Sequence, residues 1–245
     1  MKGVSPRTAM VLAAGLGTRM RPLTLTTPKP LVQVAGTTLL DHALDRLSAA
    51  GVQKAVVNTH WLGDQIARHV QGRPQPAVTL SPEDVLLETG GGVKKALPVL
   101  GPDPFFVINS DILWTEGKTP VLERLAQAWD DTRMDVLLLL VAREKAFGLS
   151  HNGDYVMDGE GRLSRNMDRK DQAPWYYASI QLIAPRAYAD APEGPFSNLK
   201  IWDRAQQAGR LFGLAHDAAW YSVDTPAVLD EITRLFPGKI PAARI

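Results

Sequence analysis

Short, continuous apolar runs alternate with amphipathic segments through the first 142 residues, and this alternation restricts the fold more than any other feature. Residues 8–14 (TAMVLAA), 54–58 (KAVVN), 77–80 (AVTL), 104–109 (PFFVIN) and 135–142 (DVLLLLVA) have the length and makeup of buried strands. Between them, residues 38–50 place Leu39, Leu40, Ala43, Leu44 and Leu47 on one helical face, with Thr38 as N-cap and Gly51 as a stop. Residues 61–71 read as a second helix. Residues 119–130 read as a third, with Val121, Leu122, Leu125, Ala126 and Trp129 as its apolar stripe. A β-α-β-α order predicts an α/β fold: a mostly parallel sheet with helices on both faces. After Ala142 the pattern changes. Asp158-Gly159 suits a tight hairpin turn, and residues 175–184 (WYYASIQLIA) read as an aromatic, β-branched strand. A helix at 198–208, short strands at 211–215 and 220–223 and a last helix at 226–236 follow. Residues 143–195 are read as a small β-rich insertion covering the sheet, within one domain spanning 1–245. No stacked hexapeptides announce a β-helix.

Composition narrows the function. The chain has 245 residues, 45% hydrophobic and 22% charged, enough for one large domain with a real core. A net charge of +1 argues against nucleic-acid and membrane-surface partners. With no cysteine, thiolate nucleophiles, disulfides and cysteine metal sites are excluded. No apolar run nears the roughly 20 residues of a membrane helix. MVLAAGLG is too short and glycine-rich for a signal-peptide core, so the expected location is cytoplasmic. His42, His60, His69, His151 and His216 do not cluster at metal-ligand spacing.

Residues 12–31 read LAAGLGTRMRPLTLTTPKPL, and no Asp or Glu precedes Asp41. Ligands of open α/β sheets sit beyond the carboxyl ends of the strands, where a loop after the first strand would lie. Gly15 and Gly17 allow a tight bend and a close backbone approach to an anion. Arg19 offers a planar fork of donors for phosphate oxygens, and Lys29, between two prolines, a compact positive charge. A purely structural turn remains the alternative, since Gly-x-Gly alone is common. The third glycine of a dinucleotide fingerprint is missing, and no Lys-Ser or Lys-Thr follows to make a P-loop.

The whole stretch resembles the signature of the sugar-1-phosphate nucleotidyltransferases, L-x-A-G-x-G-x-R continuing through P-x-T to P-K-P-L. Later segments match in order: LLETGGGVKKAL (86–97) is similar to the base-recognition segment. FFVINSDIL (105–113) is similar to the strand ending in a first metal-binding aspartate, and WYSVDTPAVL (220–229) to the segment carrying the second. The resemblance implies a Rossmann-like fold in which residues 1–142 form a nucleotide-binding half and 143–245 a sugar-binding insertion with closing elements. It implies transfer of a nucleoside monophosphate from a nucleoside triphosphate to a sugar-1-phosphate, with Mg²⁺ as cofactor. Arg19 and Lys29 would be catalytic, and Asp111 and Asp224 would hold the metal. Ala13, Ala14, Gly15, Gly17, Thr18, Glu83, Thr89 and Gly91 would bind the nucleotide. Asn109, Gly153, Asp154 and Ser179 would bind the sugar.

Among branches of the family, the Glu-Thr-Gly-Gly-Gly run and His151-Asn-Gly-Asp-Tyr155 look most like N-acetylmuramate-1-phosphate uridylyltransferases, which favours UTP and N-acetylmuramate-1-phosphate. Mannose-1-phosphate guanylyltransferases look next most similar. A monomer or small homo-oligomer is expected. Departures fall beside the site: Ser110 replaces a glycine before Asp111, Thr225 a glycine after Asp224, and Ser179 a glycine over the sugar. Two other readings stay open. One is a cytidylyltransferase for a phosphorylated amino-alcohol, with Trp175, Tyr176 and Tyr177 as an aromatic cage. The other is an inactive regulator that binds nucleotide-sugar.

Overall fold

A computed structural model of the chain describes residues 3–149, 151–168 and 170–238. Strand β1 (Thr8–Leu12) opens into the glycine-rich loop, which winds through single 3-10 turns at Thr18–Met20, Leu23–Leu25 and Lys29–Leu31 into a short hairpin, β2 (Gln33–Val34) and β3 (Thr37–Thr38). Next come α1 (Leu39–Ala49), β4 (Lys54–Thr59), α2 (Gly63–Val70), β5 (Ala77–Pro82), α3 (Glu88–Leu100), β6 (Phe105–Asn109), β7 (Ile112–Trp114), α4 (Val121–Ala128) and β8 (Val136–Ala142). The remainder is β9 (Ala146–Phe147), β10 (Tyr155–Met157), β11 (Leu163–Arg165), β12 (Trp175–Ile183), α5 (Leu199–Gln207), β13 (Leu211–His216), β14 (Trp220–Ser222) and α6 (Pro226–Leu235).

The main sheet runs β5-β4-β1-β6-β12-β8-β13, with β10 and β11 continuing from the start of β12. β1 is parallel to β4 and β6, β4 to β5, and β8 to β13; only β12 and the β10–β11 hairpin run antiparallel to their neighbours in this sheet. Along β1, Ala9 and Val11 join one core cluster and Met10 another. That two-residue alternation packs both faces, as a sheet sandwiched by helices requires. A small second sheet, β7-β14-β9, stands beside the site. Under it lies a third core cluster that includes Met20, Val32, Leu113, Val223 and Ile232. No helix among the described residues is long and apolar enough to cross a membrane.

The helical spacing of α1 and its cap are as expected: Asp41 N–H donates to Thr38 Oγ1 at 3.1 Å. Two features differ. Helix α3 carries three glycines at its start and Pro98 near its end, so propensity hides it. Its first turn is held from outside, by Gly90 and Gly91 N–H groups donating to the Phe196 carbonyl. The second difference is β12. Residues 143–195 do not simply cover the sheet, because β12 completes it between β6 and β8. Its aromatic, β-branched composition suits a strand covered on both sides. The β10–β11 hairpin forms, but the residue in left-handed conformation is Gly161 (φ 84) rather than Gly159, and the Asp158 carboxylate accepts from Glu160 and Arg162 N–H groups.

Candidate active site

Four charged side chains meet at the carboxyl edge of β1 and β6. Lys29 Nζ donates to Asp111 Oδ2 at 2.6 Å and to Asp224 Oδ1 at 2.7 Å. Arg19 reaches the same Asp224 oxygen at 3.1 Å. Ser222 Oγ donates to the other Asp224 oxygen, Oδ2, at 2.7 Å. The environments differ: the Arg19 side chain is 70% exposed, that of Lys29 only 11%. Burial pushes the Asp224 carboxyl up, but the Lys29 charge and hydrogen bond, the Ser222 hydroxyl and the Arg19 charge together hold it below the usual carboxylate range.

Local sequence explains how these residues arrive. Each charge has an apolar neighbour in the third core cluster: Met20 beside Arg19, Val32 after Lys29, Leu113 after Asp111 and Val223 before Asp224. Fully burying such a side chain is worth roughly 1.5–3 kcal/mol. These anchors fix the backbone while the charges face the cleft. Gly17 adopts φ 60, and its Cα packs so closely that a Cβ would lie 2.9 Å from Thr24 Cγ2 and 3.1 Å from Lys29 Cβ. Only glycine fits there, and Thr24 Oγ1 secures the turn by donating to the Gly17 carbonyl at 2.7 Å.

The corner opens into a cavity of about 370 Å³. Of the residues singled out in the sequence, Ala13, Ala14, Gly15, Gly17, Thr18, Arg19, Lys29, Glu83, Thr89, Asn109, Asp111 and Asp224 all line it. The Ala13 N–H is not free for an anion, because it donates to Asn58 Oδ1 at 2.7 Å. Asn58 Nδ2 in turn donates to Glu83 Oε1 at 2.7 Å, and Leu87 N–H donates to Glu83 Oε2 at 2.9 Å. Glu83 is only 5% exposed. Thr89 Oγ1 accepts from Asn198 N–H at 2.9 Å, tying α3 to the start of α5.

Four residues lie elsewhere. Gly91 does not line the cavity: a Cβ there would stand 2.4 Å from the Gly194 carbonyl oxygen, so the glycine serves helix packing. Gly153 and Asp154 brace the β10–β12 junction, where Tyr177 N–H donates to Asp154 Oδ2 at 3.0 Å. Ser179 sits in the irregular part of β12 with φ 57, one residue before Ile180, which pairs with Ile108. It stands beside the end of β6 without lining the cavity. The aromatic run does not form a cage. Tyr176 packs into one core cluster, while Trp175 and Tyr177 pack against the cluster on the opposite face.

Asn58, Ser222 and Glu88 were not singled out as site residues, and Ser110 was noted only as a departure beside Asp111. Asn58 and Ser222 had a usable signal: Asn58 is near the end of a strand, as Asn109 is, and Ser222 lies two residues before Asp224. Glu88, at φ 58 and on the cavity wall, had its signal in the Glu-Thr-Gly-Gly-Gly run already matched to the base-recognition segment.

The donor set suits a hard cation. Asp111 and Asp224 offer oxygen ligands, and no group of three or more His, Cys, Asp or Glu side chains could hold a metal among the described residues. Two carboxylates completed by phosphate oxygens and water match the way Mg²⁺ is held.

Comparison with known proteins agrees with the geometry. The Nucleotidyl transferase family model matches residues 8–164. An N-acetylmuramate alpha-1-phosphate uridylyltransferase of Caulobacter vibrioides is 45% identical over 227 residues, 91% of this chain and 93% of that protein. Its counterpart in Neisseria meningitidis serogroup B is 51% identical over 233 residues, covering 93% and 97%. The inositol-1-phosphate CTP transferase of T. maritima superposes with a TM-score of 0.75 at 20% identity, covering 96% of each chain, and shares the fold. A glycine-rich loop after the first strand, two carboxylates beneath it and relatives along nearly the full length lead to one assignment: the chain belongs to the nucleotidyl transferase family, the enzymes that its signature stretch resembles.

Proposed function

We propose that the protein transfers uridine monophosphate from UTP to N-acetylmuramate-1-phosphate, releasing pyrophosphate. A phosphate oxygen of the sugar-1-phosphate attacks the α-phosphorus. One phosphorus–oxygen bond forms as the bond to the β-phosphate breaks. Both reactants are anions, so positioning and charge neutralisation carry the catalysis. Arg19, exposed at the rim, holds the departing pyrophosphate oxygens. Lys29 bridges the two substrates' phosphates as charge shifts between them. Asp111 and Asp224 hold Mg²⁺, which supplies further neutralisation of phosphate charge when bound. In this reading residues 1–142 serve the nucleotide and 143–245 the sugar, with Asn109 beside it. Gly153, Asp154 and Ser179 act on the sugar side through backbone shape.

The single observation that carries the base assignment is Glu83. Its buried carboxylate only accepts hydrogen bonds, and Asn58 and Leu87 fix its orientation at the cavity wall. Uracil presents an N–H at the centre of its pairing edge, as guanine does. Cytosine and adenine present a lone pair there, which a carboxylate repels. That supports UTP over CTP, and the relatives named as uridylyltransferases support uracil over guanine. GTP with mannose-1-phosphate is the second reading, because guanine satisfies the same carboxylate. The regulator reading is disfavoured, since all four charged groups of the corner are in place. A pyrophosphate-release panel with Mg²⁺ tests the proposal, crossing four nucleoside triphosphates with sugar-1-phosphates. UTP with N-acetylmuramate-1-phosphate should give the highest kcat/KM. A clear preference for GTP with mannose-1-phosphate would replace it.

A further inference from the structure

Lys29 commits two of its three ammonium N–H donors to carboxylates. Its Nζ bridges Asp111 Oδ2 and Asp224 Oδ1 at 2.6 and 2.7 Å, and the side chain is nearly buried. Ser222 already donates to Asp224 Oδ2, so Oδ1 is the Asp224 oxygen turned toward the cleft cations, Lys29 and Arg19. A divalent cation gripped by both aspartates needs the Asp224 oxygen that the ammonium holds, and meets the same ammonium on Asp111. Two positive centres drawn to the same Asp224 oxygen repel, more strongly beside the nearly buried Lys29 than in bulk water.

The loop lets only the side chain yield. Pro28 and Pro30 flank Lys29, and its 3-10 turn is closed by Leu31 N–H to the Pro28 carbonyl (2.8 Å) and Val32 N–H to the Lys29 carbonyl (3.1 Å). The four-carbon stem is flexible and ends in a point charge, so it can swing without the backbone moving.

We propose that Lys29 is an exchangeable counter-ion. It neutralises the Asp111–Asp224 pair and gives up those oxygens when a divalent cation takes them. That loading event is what frees its ammonium for phosphate. The proposal rests on reading the two aspartates as the metal pair. Two consequences follow from the exchange: Lys29 lowers the protein's intrinsic metal affinity, and nucleotide offered without metal meets a lysine that is already engaged.

Mn²⁺ alone, with no nucleotide, is the probe. Free Mn²⁺ is followed by electron paramagnetic resonance during titration of wild type, Lys29→Met, Lys29→Gln and Asp224→Asn. Both Lys29 variants should bind Mn²⁺ at least tenfold more tightly than wild type, and Asp224→Asn should lose binding. Equal affinity in wild type and the Lys29 variants, with Asp224→Asn still abolishing it, overturns the exchange and leaves the metal pair standing. Undiminished binding by Asp224→Asn, or no binding by any protein, removes the metal pair and the exchange with it. If neither lysine variant melts cooperatively, wild-type protein with labelled lysine decides. Addition of Mg²⁺ should shift the Lys29 side-chain resonance, and an unmoved resonance overturns the proposal.

Discussion

Arg19, Lys29, Asp111 and Asp224 come from three separate stretches of chain and contribute charge. Ser179, in β12 beside the end of β6 at Asn109, contributes a bend. At the charged corner, side chains within 3.1 Å of one another are held by apolar neighbours in a shared core cluster. In the region proposed to serve the sugar, Ser179 does not line the site cavity and is distinguished by its φ of 57, and the Asp154 carboxylate accepts from the Tyr177 N–H. In the proposed reading one region works through side-chain chemistry, the other through backbone path. Substitutions should therefore abolish function at the corner and merely adjust it along β12.

The largest effect is expected at the two carboxylates. Asp111→Asn and Asp224→Asn should each reduce Mg²⁺-dependent kcat by a thousandfold or more, on the order of 4 kcal/mol. Because both would serve one ion, the double variant should be little worse than either single one. Fully additive losses would show two separate sites and break the picture of one corner. Asp224→Asn has a second signature. Its carboxyl is held below the usual range, so it stabilises the fold above that range and loses this contribution as pH falls through the lowered value. The asparagine variant should show a flatter decline of Tm on the acid side.

Next in size is Arg19→Ala, which should lower kcat/KM about a hundredfold, as removal of one charge-assisted contact to developing charge does. The side chain is 70% exposed, so Tm should move by less than about 2 °C. Activity within threefold of wild type would take the leaving-group role away from Arg19.

These two regions also differ in how far they could be read from sequence. The corner was legible because phosphate chemistry demands particular charged residues, and because Gly17, Arg19 and Lys29 lie in one short stretch. Asp111 and Asp224 could be picked out by the resemblance of their segments to the family's, strand-end position alone being a weak signal, and only the fold brings them to one lysine. The parallel half of the sheet was equally plain from its apolar runs. What stayed hidden depended on partners distant in sequence. Helix α3 is held by the Phe196 carbonyl, Gly91 by close approach to Gly194, and β12 gained its place by pairing with β6 and β8. No local pattern encodes those contacts.

Glu83 tests the comparison from the nucleotide side and should have an intermediate effect. Glu83→Gln keeps the volume and can still meet Asn58, but it offers the base one acceptor and one donor instead of acceptors alone. Discrimination of UTP over CTP should fall about tenfold, since one wrongly paired polar contact is worth roughly 1–3 kcal/mol. Measured as a ratio of kcat/KM values, an unchanged preference would move base reading elsewhere in the cavity.

The smallest effect is expected at Ser179. A non-glycine residue in left-handed backbone costs about 1–2 kcal/mol, and Ser179 bears that cost at φ 57. Glycine would remove the strain but enlarge the unfolded ensemble, which costs roughly 0.5–1 kcal/mol. The balance favours Ser179→Gly by about 0.5–1 kcal/mol, a rise in Tm of about 1–4 °C for a chain of this size. Activity is the sharper readout. If β12 acts through its path, the variant keeps the bend, because glycine adopts the same conformation freely. Then kcat/KM for N-acetylmuramate-1-phosphate should change by less than threefold, and so should the ratio to glucose-1-phosphate. A tenfold gain confined to the muramate substrate would mean that the serine side chain crowds the sugar's lactyl ether. Ser179 would then belong with Arg19 and Lys29 as a side chain that touches substrate, and the division between the charged corner and the bent strand would fail.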